Sequence, residues 1–188
     1  MKKATVILAA AVFTSSLYAP AARAIDNVCE RQMVRAAAKY EIPLGMLYAV
    51  GLTETGRGDS LRPYALNIDG RAVYGTDRQE ALREFMKAKD AGAKLVDIGC
   101  MQINQKYHGM NFSSVDEMFD PAKNVDYAAR FLRQLKAREG SWTMAVARYH
   151  AGPNNDPAQK RYICRVIANM VASGFGAWTG EARSFCRP

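Results

Sequence analysis

The chain is punctuated for helices. Asp120-Pro121 and Asp156-Pro157 each set a capping acid before a first-turn proline, an order that opens a helix. Residues 27–40 place Cys29, Met33, Ala36 or Ala37 and Tyr40 on one stripe behind a capping Asp26, which predicts a helix. A second helix starts at Pro43 and stops before Gly56. Thr76-Asp77-Arg78-Gln79 reads as a capping box for a helix from about 77 to 91, closed by Gly92. The Asp120 signal opens a helix to Arg138 or Glu139, ended by Gly140; Ser141 caps the next, to near Gly152; the last runs from Pro157 to Ser173, ended by Gly174. One stretch breaks the pattern. YALNIDGRAVYGT (64–76) sets Asp69-Gly70 between two short alternating runs, a hairpin signal, and Lys94–Ile98 reads as a short strand. The expected fold is mainly α (α+β): a helical domain with a small β-hairpin insert.

The start of the chain reads differently. Lys2 and Lys3, an apolar run from Ala4 to Phe13, and Ala22-Arg23-Ala24 form a secretory signal with its cleavage site, assigned to residues 1–24. Removing 24 of 188 residues leaves 164, residues 25–188, enough for one domain with a real core. No stable membrane insertion is expected after cleavage. The formal charge of +8 falls to +5 when Lys2, Lys3 and Arg23 leave. A basic exported chain suits an anionic partner such as a wall polymer. A nucleic-acid role lacks a recognisable module or aromatic–basic interleaving.

Cys29, Cys100, Cys164 and Cys186 are an even set in an exported chain and predict two disulfides. Three pairings are open. Cys29–Cys100 with Cys164–Cys186 is preferred, the second as a local staple of the tail. There is no C-x-x-C, and His108 and His150 stand 42 residues apart, so neither metal nor cofactor is expected.

LYAVGLTETG (47–56) carries a lone acid, Glu54, on the stripe of Leu47 and Val50. An apolar setting disfavours a charged carboxylate, and a helix C-terminus opposes further negative charge. No basic residue comes before Arg57. The placement favours a carboxyl that keeps its proton, as a general acid must. The plain alternative is a Glu at a frayed helix end, turned to water.

Four segments occur in order: G-L-T-E-T (51–55), D-I-G-C-M-Q-I-N (97–104), A-R-Y-H-A-G-P (147–153) and R-Y-I-C-R-V (161–166). Together they resemble the lytic transglycosylase domain of the soluble, goose-lysozyme-like (SLT) type, from about Cys29 to Ala172. That group includes small exported enzymes linked to secretion, conjugation and flagellar machines. The resemblance implies a lysozyme-like fold, a periplasmic location and peptidoglycan glycan strands as substrate. It implies Glu54 as catalytic acid with Thr55 beside it. It implies a sugar cleft lined by Gly99, Met101, Gln102 and Ile103, with Cys100 where Leu is usual. It sets Tyr149 near the acid, orienting it, and Tyr162 in the cleft. His150 stands where the pattern has Asn; an imidazole also hydrogen-bonds.

Competing readings accompany these roles. Gln102 serves either a sugar or a tight turn, Met101 a sugar face or the core, and Tyr162 the cleft or the core. His108 reads as a loop histidine with structural hydrogen bonds. In the implied reaction Glu54 acts as acid and then base, and the muramic acid 6-hydroxyl closes on the anomeric carbon. Asp97 supports a lysozyme-like hydrolase as runner-up, since a second carboxylate would activate water. A non-catalytic glycan-binding component is the third reading. The long interval between Glu54 and Gly99 either shapes a cleft wall or docks a partner.

Overall fold

The computed structural model describes residues 27–55, 60–152 and 154–187. The expected signal at 1–24, the Asp26 cap and the Gly56 stop lie outside the described residues. Helix α1 (Val28–Tyr40) is capped by Asn27, whose side chain accepts from the Cys29 amide. Helix α2 (Leu44–Thr55) buries Met46, Leu47, Ala49, Val50, Gly51 and Thr55. It is apolar nearly all round, the composition of a helix enclosed by others. Next come β1 (Ala65–Ile68), β2 (Arg71–Tyr74), α3 (Arg78–Asp90), β3 (Val96–Ile98) and β4 (Ile103–Asn104). Short helices α4 (Gln105–His108) and α5 (Val115–Met118) lead to α6 (Pro121–Glu139), α7 (Trp142–His150), α8 (Asp156–Ala172) and α9 (Gly180–Phe185).

The hairpin forms at Asp69 and Gly70, both in the left-handed region, as a tight two-residue turn requires. It is one half of an antiparallel sheet ordered β2-β1-β3-β4. The sequence pointed to three of these strands; β4 is two residues long and carries no periodicity to read. The box on α3 lies one residue beyond the expected Thr76–Gln79 pair: Asp77 caps and accepts from the Glu80 amide, and the Glu80 carboxylate reaches back to the Thr76 amide and hydroxyl. Asp156 does not cap α8: it lies inside the first turn, and Asn155 precedes it without a side-chain cap bond. Asp120 does cap α6, accepting from the amides of Ala122 and Lys123.

The helices pack α1 on α6, α2 on α8 and α6 on α7. The junction between helices and sheet is the turn 98–102, held from several sides. The fully buried Asn124 of α6 donates from Nδ2 to the Ile98 and Met118 carbonyls, at 2.8 and 2.9 Å. Its Oδ1 accepts from the Met101 amide at 2.9 Å. Gly99 sits at φ +80°, and a Cβ there would lie 2.6 Å from Asn124 Nδ2. Only glycine meets both demands. The Cys29–Cys100 disulfide ties the same turn to α1, and Cys164–Cys186 ties the tail to α8.

Asn124→Ala would remove three hydrogen bonds to buried backbone groups. It should destabilise the fold by about 2–4 kcal/mol, read as a lowered denaturation midpoint. Stability equal to the native chain would show that the turn holds itself.

Candidate active site

A cleft of about 760 Å³ runs between the sheet and the ends of α2 and α7. Glu54 lies in its wall, its side chain 14% exposed. The helix that carries it ends against the 98–102 turn, where the Thr55 hydroxyl is shared between the Gly51 and Cys100 carbonyls, each at 3.2 Å. Thr55 therefore fixes the end of α2 and has no spare proton for a sugar.

The hydroxyl that reaches Glu54 is that of Tyr162, donating to Oε1 at 2.5 Å. Tyr162 is fully buried on α8 and does not line the cleft. It backs the acid and touches no substrate surface, a correction to its expected place. Burial and then the Glu54 charge push its hydroxyl well above the ordinary tyrosine range, so it stays a donor. The expected partner, Tyr149, instead donates to the Met101 carbonyl at 2.8 Å. It still lines the cleft. Burial is the largest cause raising its hydroxyl too, and the Glu54 charge adds to it.

His150 is an exposed neighbour of the acid. Its ring lies flat on the Tyr162 ring, centroids 4.2 Å apart and planes 4° from parallel, with Nδ1 3.8 Å from Glu54 Oε1. Met101 is fully buried and turned away from the cleft, so it packs the core and cannot meet a sugar face. Gln102 lines the cleft, but its Nε2 donates to the Ala65 and Gly99 carbonyls while its backbone sits at φ +46°. Its amide nitrogen holds the turn, the second of the two readings given for it. His108 lies at the end of α4, bonded through Nδ1 to the Tyr127 hydroxyl at 2.7 Å. Burial lowers it below the usual histidine range.

The opposite wall is the sheet. Register pairs Asn67 with Asp97 and Asp97 with Asn104 across three strands. Asn67 Nδ2 donates to Asp97 Oδ2 at 3.1 Å, and Asn104 Nδ2 donates to Oδ1 at 2.6 Å. Burial chiefly raises Asp97 above the usual aspartate range, and the Glu54 charge adds to it; both asparagine bonds and His150 oppose. Asn67 Oδ1 is buried without a donor among the described residues. The two asparagines were missed in the sequence because their alignment with Asp97 exists only once the strands pair. Among the described residues no group of three or more His, Cys, Asp or Glu is placed to hold a metal.

Residues 32–163 match the Transglycosylase SLT domain, and the chain belongs to that family. The helical body with its small antiparallel sheet is the lysozyme-like fold of that class. No curated protein and no solved structure matches the chain.

Asp97 provides a pH test of the site. A carboxyl raised in the folded state binds its proton more tightly there than in the unfolded chain. It therefore costs stability as pH rises through and above the usual aspartate range. Relative to Asp97→Asn, the native chain should lose stability from acid to neutral pH, read by thermal unfolding at several pH values. A difference independent of pH would contradict the burial of that charge.

Proposed function

We propose that the protein is a peptidoglycan lytic transglycosylase with Glu54 as its sole proton-transfer residue. The observation that carries this reading is a carboxyl in a cleft wall, with one oxygen held by a buried tyrosine hydroxyl. Among the described residues no hydrogen bond engages its other oxygen. A held carboxyl with one oxygen available is suited to passing a proton to a bridging oxygen and taking another back.

Glu54 gives its proton to the oxygen linking N-acetylmuramic acid to N-acetylglucosamine, and the bond from that oxygen to the anomeric carbon breaks. The muramic acid 6-hydroxyl oxygen then bonds to the anomeric carbon and its proton passes to the Glu54 carboxylate. The acid is restored, no water is consumed, and the product end is a 1,6-anhydro sugar. Tyr162 positions the carboxyl through both stages and does not itself exchange a proton.

Asp97 supports a second reading, a hydrolase. It lies in the same cleft, and its carboxyl responds to the charge on Glu54. In a lysozyme-like reaction it would activate water or stabilise the cation. Its two asparagine donors favour a bound, oriented group and so a substrate-holding part in the first reading. The proposed setting is the periplasm. Two disulfides suit an oxidising compartment, and no described helix is long and apolar enough to cross a membrane. Local wall opening for a secretion, conjugation or flagellar apparatus is the use we infer for such an activity.

Digestion of purified murein, read by mass spectrometry, tests the reaction. Anhydro-ended fragments are expected; fragments heavier by one water would establish the hydrolase, and binding without release a non-catalytic component. Glu54→Gln should lower release by about 100- to 10,000-fold. Tyr162→Phe should lower kcat by about 10- to 100-fold through misplacement of the acid, with KM little changed. An unchanged kcat would remove Tyr162 from the mechanism.

A further inference from the structure

A second depression, about 620 Å³, shares His150 with the cleft. Lys160, Arg161 and Arg165 of α8 and Arg187 of the tail line it, together with Cys164 and Cys186. All four cations are exposed, and no carboxylate lines the depression among the described residues. Some basic groups elsewhere are paired, as in Arg78 with Asp116 and Arg148 with Glu139. Among the described residues none of these four takes part in a salt bridge. A solvated basic face needs no wall and no covalent tie. Here the Cys164–Cys186 disulfide fastens the tail to α8, and Lys160 Nζ donates to the Arg187 carbonyl at 3.1 Å. Four like charges are thus held around one concavity.

We propose that this depression binds carboxylates of the peptide stem carried by N-acetylmuramic acid. The inference rests on the reading of the cleft given above. The stem hangs from the sugar whose anomeric bond Glu54 would open, so an anion joined to the substrate lies close to the acid. The depression meets the cleft at His150. Arginine forks suit carboxylates, which they bind through two parallel bonds. The family match ends at residue 163. Cys164 and Arg165 of α8 and Cys186 and Arg187 of the tail lie beyond it, so part of the depression is built outside the matched domain.

The test uses Glu54→Gln protein, which leaves the ligand uncut, and two probes. One is uncrosslinked glycan strands bearing stems; the other is the same strands stripped of stems by an amidase. Affinity for the stem-bearing strands should exceed that for stripped strands by about tenfold, a modest figure because exposed charge pairs are screened. Adding Arg161→Gln and Arg165→Gln should remove most of that preference with an unchanged melting temperature. A charge-matched control, Lys87→Gln with Arg133→Gln, should keep it. No preference in the parent, or a preference that survives loss of both arginines, overturns the proposal. Competition by inorganic phosphate without any stem preference would also overturn it, marking a general anion site. Binding is read without turnover. A native chain that prefers stems but forms no anhydro ends would refute the reaction and leave this pocket standing.

Discussion

Three hydrogen bonds from one buried amide hold the site together. Asn124 reaches from α6 to three backbone groups, at the end of β3, in the 98–102 turn and at the end of α5. That turn receives the Cys29 disulfide, the Thr55 hydroxyl and the Tyr149 hydroxyl. Each bond alone is modest, but a buried polar group left unpaired is costly, so the set stands or falls together. The end of α2, which carries Glu54, and β3, which carries Asp97, are both referenced to this turn. The separation of the two carboxyls follows from it and not from any contact between them.

The helical body was legible because its signals are local. Caps, first-turn prolines and stop glycines act within a few residues, and α6 and α7 begin where Asp120 and Ser141 announce them. Asp156 shows the limit: a capping residue followed by proline is also an acceptable first turn, and the chain takes that option. The candidate acid Glu54 was legible as a candidate, since an isolated carboxyl on an apolar stripe stands out. Its partner was not. Both Tyr149 and Tyr162 follow helical spacing, and which hydroxyl reaches Glu54 depends on how α7 and α8 lie on α2. Met101 and Gln102 belong to the same difficulty. The left-handed backbone at Gln102 turns one side chain into the core and bends the other back on its own turn. The Asn67–Asp97–Asn104 row needs three strands in register, a long-range property no single segment states.

Two groups of different burial flank Glu54, a buried hydroxyl and an exposed imidazole. The buried hydroxyl of Tyr162 cannot readily ionise and donates whatever the state of the carboxyl. The exposed imidazole of His150 stands beside the same carboxyl, Nδ1 3.8 Å from Oε1. An amide in that place would offer a fixed donor and acceptor. An imidazole adds a flat apolar face, which here covers the Tyr162 ring. The stack limits how far the tyrosine can turn, and with it how far the carboxyl can stray.

Helix α8 links that arrangement to the basic depression. Tyr162 faces inward to the acid, while Arg161 and Arg165 line the depression. The Arg165 guanidinium also lies 5.7 Å from the Tyr162 ring centre, within reach of a cation–π attraction. The Cys164 anchor lies between these residues in sequence and pins the tail to the same helix turn. Under the proposal, an anion at Arg165 would meet the same charge that lies over Tyr162. Occupancy of the depression and the setting of the carboxyl therefore share one rigid element. In the proposed reaction, that shared helix is the physical route by which a group distant from the bond being broken would act on the aim of Glu54.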